Sequence, residues 1–263
     1  MTASIQIDRS LPQQYLLRLG DTCLILGQRL GEWCGHAPVL EEDIALTNMA
    51  LDLIGQARAL LTHAGRAQGF DEDQLAFLRD ERDYLNPTLV ELPNAMSGPG
   101  RPGDFALTVQ RNLMVATLLK LLWQKLADSS DAELAAIAGK AIKEARYHQQ
   151  HAADWVVRLG DGSEESHRRS QDALNTLWRY TPELFEADAV DDAALASGLG
   201  PRWADVRADW AAEVGEVLAE AGLTVPAESP FRSSGKRGVH TEHMGYILAE
   251  MQHLQRAFPG GAW

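Results

Sequence analysis

Apolar residues recur at alternating three- and four-residue spacing from early in the chain. Leu16, Leu19, Cys23, Leu26, Leu30 and Trp33 form the first series, one stripe of a helix that Gly35, His36 and Pro38 bring to an end. A second helix, about 40 to 67, puts Leu46, Met49, Ala50, Leu53, Ala57, Leu60, Leu61 and Ala64 on one face and Ile44, Leu51 and Ile54 on another. A helix apolar on two faces is expected at the centre of its bundle. The third, 105 to 127, reads FALTVQRNLMVATLLKLLWQKLA, with helical spacing and no Asp or Glu at any position. The fourth, about 131 to 159, carries Leu134, Ile137, Ala141, Ala145, His148, Ala152, Trp155 and Leu159 along its seam.

These four predict an all-α antiparallel bundle over about 14–160 with one long crossover. The crossover is FDEDQLAFLRDERDYLNPTLVELPN followed by the Gly/Pro-rich SGPGRPGD, whose prolines and glycines forbid a continuous helix. Further helices at about 163–186, 201–221 and 241–258 predict an outer layer. They are separated by the acidic EADAVDDAALASGLG and by LTVPAESPFRSSGKRGV. No period-two alternation is long enough for a sheet, and the whole chain, 1–263, reads as a single domain.

Composition narrows the function classes. With 45% hydrophobic and 23% charged residues the 263-residue chain is ordinary globular protein. Its net charge of -13 opposes approach to phosphate backbones and anionic lipid. The N-terminus lacks a leader pattern, and no uninterrupted apolar run reaches the roughly 18 residues of a membrane helix, so a cytoplasmic protein is expected. Cys23 and Cys34 are expected as buried thiols on one helix, roughly 16 Å apart at about 1.5 Å per residue and too far to bridge.

Long-helix bundles of this plan often hold two irons, drawing a carboxylate from each of four helices and an imidazole at i, i+3 from two of them. Here the candidate on the fourth helix is KEARYHQQH, with Glu144, His148 and His151 on one face, but the residue three after Glu144 is Tyr147. On the second helix Asp52 is followed at i, i+3 by Gly55. The third helix has no carboxylate to give. A self-satisfied buried polar cluster of Asp52, Gln56, Glu144, Tyr147 and His148, balanced by Arg58, Lys143 or Arg146, fits these residues better than a metal. Glu250 and His253 have the i, i+3 spacing but stand alone. A basic island, Arg232, Lys236, Arg237 and His240 among Gly and Ser, could offer free amides to an anion or to a partner's acidic patch.

The stretches LRLGDTCLILGQRLGEWCGHAP (17–38), LDLIGQAR (51–58), RDER (79–82), KAIKEARYH (140–148), LWRYTPELFEAD (177–188) and GKRGVHTEHMGYILAEMQHLQR (235–256) resemble, in order and over nearly the whole chain, the structural subunits of bacterial phenylacetyl-CoA epoxidases. These belong to the multicomponent monooxygenases. The resemblance implies a ferritin-like fold and a non-catalytic role beside a homologous di-iron catalytic subunit. A reductase carrying FAD and an iron–sulfur centre would supply electrons from NADPH for ring epoxidation in phenylacetate breakdown. It implies no cofactor and no metal in this chain, and a heterotetramer or larger assembly. It also implies surface lent to the CoA substrate at Asp83, Tyr84, Leu85 and Asn86, and at Asp192, Ala193 and Ala194. The rival from the residues alone is a free-standing di-iron oxidase using Asp52, Glu144 and His148.

Overall fold

A computed structural model describes residues 3–94 and 103–261; most of SGPGRPGD lies outside the described residues. Four long helices build the bundle: α1 (Leu11–Gly31), α2 (Leu40–Gly65), α5 (Phe105–Leu126) and α6 (Ala132–Gly160). The crossover holds two short helices, α3 (Glu72–Phe77) and α4 (Thr88–Glu91). Helix α1 pairs along α2 and α5 along α6, and α2 and α6 also touch. No strand occurs among the described residues, and the only sheet-like pairing there is an isolated bridge between Ser234 and Val239.

Local signals set the helix ends. Pro12 sits in the first turn of α1, where its missing N–H costs nothing. The Asp104 carboxylate accepts the Ala106 amide at 2.9 Å to start α5, and Asp131 accepts from Glu133 and Leu134 to start α6. Helix α5 is buried on nearly every side. Among the described residues it alone is long and apolar enough to span a membrane on average, and 89% of that window lies inside the protein. It is the bundle's central helix.

The two-faced reading of α2 is overturned. Its inner stripe is buried, but Ile44, Leu51 and Ile54 are 54, 61 and 36% exposed, and Leu40 is 72% exposed. Helix α2 stands at the edge of the bundle with its second apolar face outward.

The C-terminal part covers the other side: α7 (Glu164–Trp178), α8 (Thr181–Leu184), α9 (Ala189–Ser197), α10 (Arg207–Glu220) and α11 (Glu242–Ala257). Helix α7 lies on α5 and α6, α9 on α1, α10 on α5, and α11 on α3. The Trp210 indole donates to the Met114 carbonyl at 2.7 Å, locking α10 onto α5. The predicted spacer after residue 186 is in fact α9. Asp188 caps its start in a capping box with Asp191, and Gly198, at φ 73°, ends it in the left-handed region.

Candidate functional site

Where a di-iron centre would stand, α1, α2 and α6 contribute Cys23, Gln56 and Glu144. The Gln56 amide donates to Glu144 Oε2 at 2.9 Å, and the Cys23 thiol faces Gln56 Oε1 at 3.5 Å. Burial, then the nearby Glu144 and Asp21 charges, push the Cys23 thiol's pKa up, so it stays protonated. The next rung toward the start of α2 is His148 Nε2 with Asp52 Oδ2 at 3.0 Å, and beyond it His151 Nε2 with Glu42 Oε2 at 2.8 Å. At the other end His63 meets Asp131 at 2.8 Å. Burial lowers the His148 pKa despite the Asp52 carboxylate.

This donor set does not fit two irons. Gln56 and Cys23 occupy interior positions that carboxylates would need, and the imidazoles of His148, His151 and His63 are engaged by carboxylates across the α2–α6 seam. Among the described residues no group of three or more His, Cys, Asp or Glu is arranged to hold a metal ion. Gly55 is exposed and offers no side chain. Glu250 and His253 lie on the exposed side of α11, which packs on the crossover helices α3 and α4.

The expected polar cluster is present in part. Gln56 pairs with Glu144 and His148 with Asp52, but Tyr147 is 51% exposed and outside the cluster. Arg58 pairs instead with Glu72 at 2.9 Å, while Lys143 and Arg146 face solvent. Cys34 is also a correction: it lies in the turns beyond α1 and is exposed, because the helix stops at Gly31.

The segment after RDER is interior. Asp21 and Arg79, both fully buried, pair in a bidentate bridge, with Arg79 Nη1 to Asp21 Oδ2 at 3.0 Å, and Asp21 also accepts the Leu85 amide at 2.8 Å. Burial opposes the Arg79 charge, but Asp21 more than offsets it and its pKa is raised. Tyr84 donates to the Ala76 carbonyl at 2.5 Å, and burial pushes its phenol up to about 12. Asn86 donates to Glu91 Oε2 at 3.0 Å. Tyr84, Leu85 and Asn86 therefore do not present side chains to solvent, and only Asp83 reaches the surface, where Arg9 pairs with it. In the second segment Asp192 is exposed and bound by Arg202 at 2.7 Å, Ala193 is half-buried and Ala194 is buried.

The basic island is likewise folded inward. Lys236 is 4% exposed, donates to the Glu186 carbonyl at 3.0 Å and lies 3.7 Å from Asp191; burial and the neighbouring Arg18 push its pKa down to about 8. The amides of Gly235 and Lys236 are taken by Thr88 and by Glu183, the latter at 2.8 Å, so they are not free for an anion. Arg237 faces Glu186 at 3.4 Å, and Arg232 binds carbonyls of its own loop. His240 Nδ1 meets the buried Glu91 carboxylate at 2.7 Å, whose other oxygen accepts the Thr241 amide at 2.7 Å. Burial disfavours the charged imidazole, but Glu91 outweighs it and the His240 pKa is raised.

Sequence reasoning missed this network. Glu91, Glu183 and Arg18 sit between apolar residues and Asp191 in an acidic run, and nothing in their spacing signals that a loop over 140 residues downstream of Glu91 completes their bonding.

The chain is 51% identical over 250 residues to a protein of Escherichia coli (strain K12) named as one of the subunits of 1,2-phenylacetyl-CoA epoxidase, covering 95% of this chain and 98% of that protein. A family model described as "Phenylacetic acid catabolic protein" matches residues 2–263, and this ferritin-like helical chain belongs to that family.

Proposed function

We propose that this chain is the structural, non-catalytic subunit of a phenylacetyl-CoA epoxidase complex in phenylacetate catabolism. It stabilises a separate catalytic subunit that holds the two irons. Electrons reach that centre from NADPH through a reductase with FAD and an iron–sulfur cluster, so this chain carries no cofactor of its own. The complex is a heterotetramer or larger and works in the cytoplasm. What supports the reading is the donor set: in the bundle interior Cys23, Gln56 and Glu144 satisfy one another, and buried His148 is taken by the half-exposed Asp52 at 3.0 Å. The 51% identity to a protein named as one subunit of that epoxidase points the same way. A free-standing di-iron oxidase using Asp52, Glu144 and His148 is disfavoured, because binding metal would break the α2–α6 rungs.

The CoA contribution is narrower than the resemblance implies. Asp83 and Asp192 are the positions with carboxylates near the surface, and both repel CoA phosphates unless Arg9 and Arg202 screen them. Contact by this chain is thus restricted to the edges of those segments. The test of the whole reading is metal content after expression in iron-supplemented medium: below about one tenth iron per chain is expected, whereas a value approaching two per chain, as a two-metal centre requires, overturns it.

A further inference from the structure

The outward face of α2 and α6 has features that nothing among the described residues accounts for. Leu40, Ile44 and Leu51 are more than half exposed on α2, and Tyr147 is 51% exposed on α6. The rungs Asp52–His148 and Gln56–Glu144 run the two helices antiparallel and side by side. Leu51 and Tyr147 are each one residue from the same rung, so they belong to one apolar patch rather than to scattered exposed residues. Beside it on α6 stand Lys140 and Lys143, which with Tyr147 follow i, i+3, i+7 spacing on the outer side. Both lysines are exposed, and neither is ion-paired among the described residues of a chain whose net charge is -13.

Gly55 adds a further constraint. It interrupts the interior of α2, one turn from Leu51, where a helical glycine costs about 1 kcal/mol relative to Ala. A Cβ there would meet nothing within 4 Å, so packing among the described residues does not demand glycine. Glycine at an exposed helix position lets another backbone approach closely, since no side chain holds it off. An apolar patch, a close-approach point and a pair of free cations together describe a seat for a helix with carboxylates at its edge.

We propose that this α2–α6 face is the docking surface for the iron-bearing companion subunit, which lays an apolar helical ridge over Gly55 and Leu51 and sets acidic side chains against Lys140 and Lys143. The proposal rests on the subunit role stated above and names the surface that performs it. A second copy of this chain is the competing occupant; it would bring two bodies of charge -13 together, which long-range repulsion opposes.

The full chain is mixed with the iron-bearing subunit of the same epoxidase, and the product is weighed by size-exclusion chromatography with light scattering. Gly55→Leu is the central variant, because a Cβ there meets nothing within 4 Å among the described residues and a better helix former should hold or raise the melting temperature. Expected is a single heteromer for wild type, association weakened at least tenfold by Gly55→Leu, and weakening by Lys140→Glu/Lys143→Glu that diminishes in high salt. Wild type that binds while both variants bind equally well overturns the surface assignment and leaves the subunit role standing. Wild type that ignores the companion overturns both. Wild type that dimerises alone, with Gly55→Leu rendering it monomeric, gives the face to a second copy and overturns the proposal.

Discussion

Replacing Asp21 by Ala strands one of the most deeply buried charges in the molecule. Arg79 and Asp21 are each 0% exposed, and the Asp21 carboxylate takes both guanidinium nitrogens and the Leu85 amide. With Asp21 gone, the guanidinium keeps two carbonyls, Leu75 at 2.5 Å and Asp83 at 2.8 Å, but no counter-charge. Breaking a buried pair by removing one partner costs about 3–5 kcal/mol. For a domain of this size about 2–4 °C of melting temperature is lost per kcal/mol, so Asp21→Ala should melt about 6–20 °C lower. The double variant Asp21→Leu/Arg79→Met removes both charges and should recover more than half of that loss, because the desolvation cost disappears with the attraction. The assay is a double-mutant cycle by urea unfolding followed by far-UV circular dichroism. Single variants that each cost less than about 1 kcal/mol would refute the reasoning, since they would show that water reaches the pair.

Further outcomes follow from the same network. His240 has a folded pKa raised above its ordinary 6.5, so its contribution to stability is complete below about pH 6.5 and is lost as pH rises through the folded value. Melting temperatures from pH 6 to 9 should therefore fall less steeply for His240→Gln than for wild type, and parallel curves would contradict the Glu91 pairing. His148 is lowered, so the sign reverses: stability is lost as pH falls from about 6.5 toward its folded value, and His148→Gln should flatten the acid limb between pH 6.5 and 5. In Gly235→Ala the new Cβ would lie 2.5 Å from the Asn86 carbonyl oxygen and 2.8 Å from the Thr88 amide nitrogen. A cost of about 1–3 kcal/mol is expected from urea denaturation, and an unchanged midpoint would show the loop can move aside.

The helices of the bundle are legible because each has an apolar stripe long enough to fix its period. Periodicity counts apolar positions without saying what covers them, so it predicts an interior place for the outer stripe of α2, whose Ile44 and Leu51 stay more than half exposed among the described residues. The donor deficit was also legible: Gly55 and Tyr147 stand in the i, i+3 positions where imidazoles would be needed. What sequence spacing could not convey was the fate of the isolated polar residues. Lys236 looked like a surface cation because Ser and Gly surround it, yet Asp191, from a helix 45 residues earlier, and the Trp203 ring, 4.9 Å away, draw it inside. Helix α9 could have been found from Asp188 and Gly198, whose capping roles the acidic composition around them obscured.

The stitching of Glu91 and Glu183 by the loop near the C-terminus bears on how the chain is born. Glu91 waits for His240 and Thr241, 149 and 150 residues later, and Glu183 for Ser233 and Lys236. During synthesis the four long helices emerge first; until the 233–241 loop follows, Glu91 is left with Asn86 and Glu183 with the Thr88 amide as donors. A nascent polypeptide halted before Ser233 thus leaves both buried carboxylates only partly satisfied, an unfinished body that chaperones or proteases would intercept.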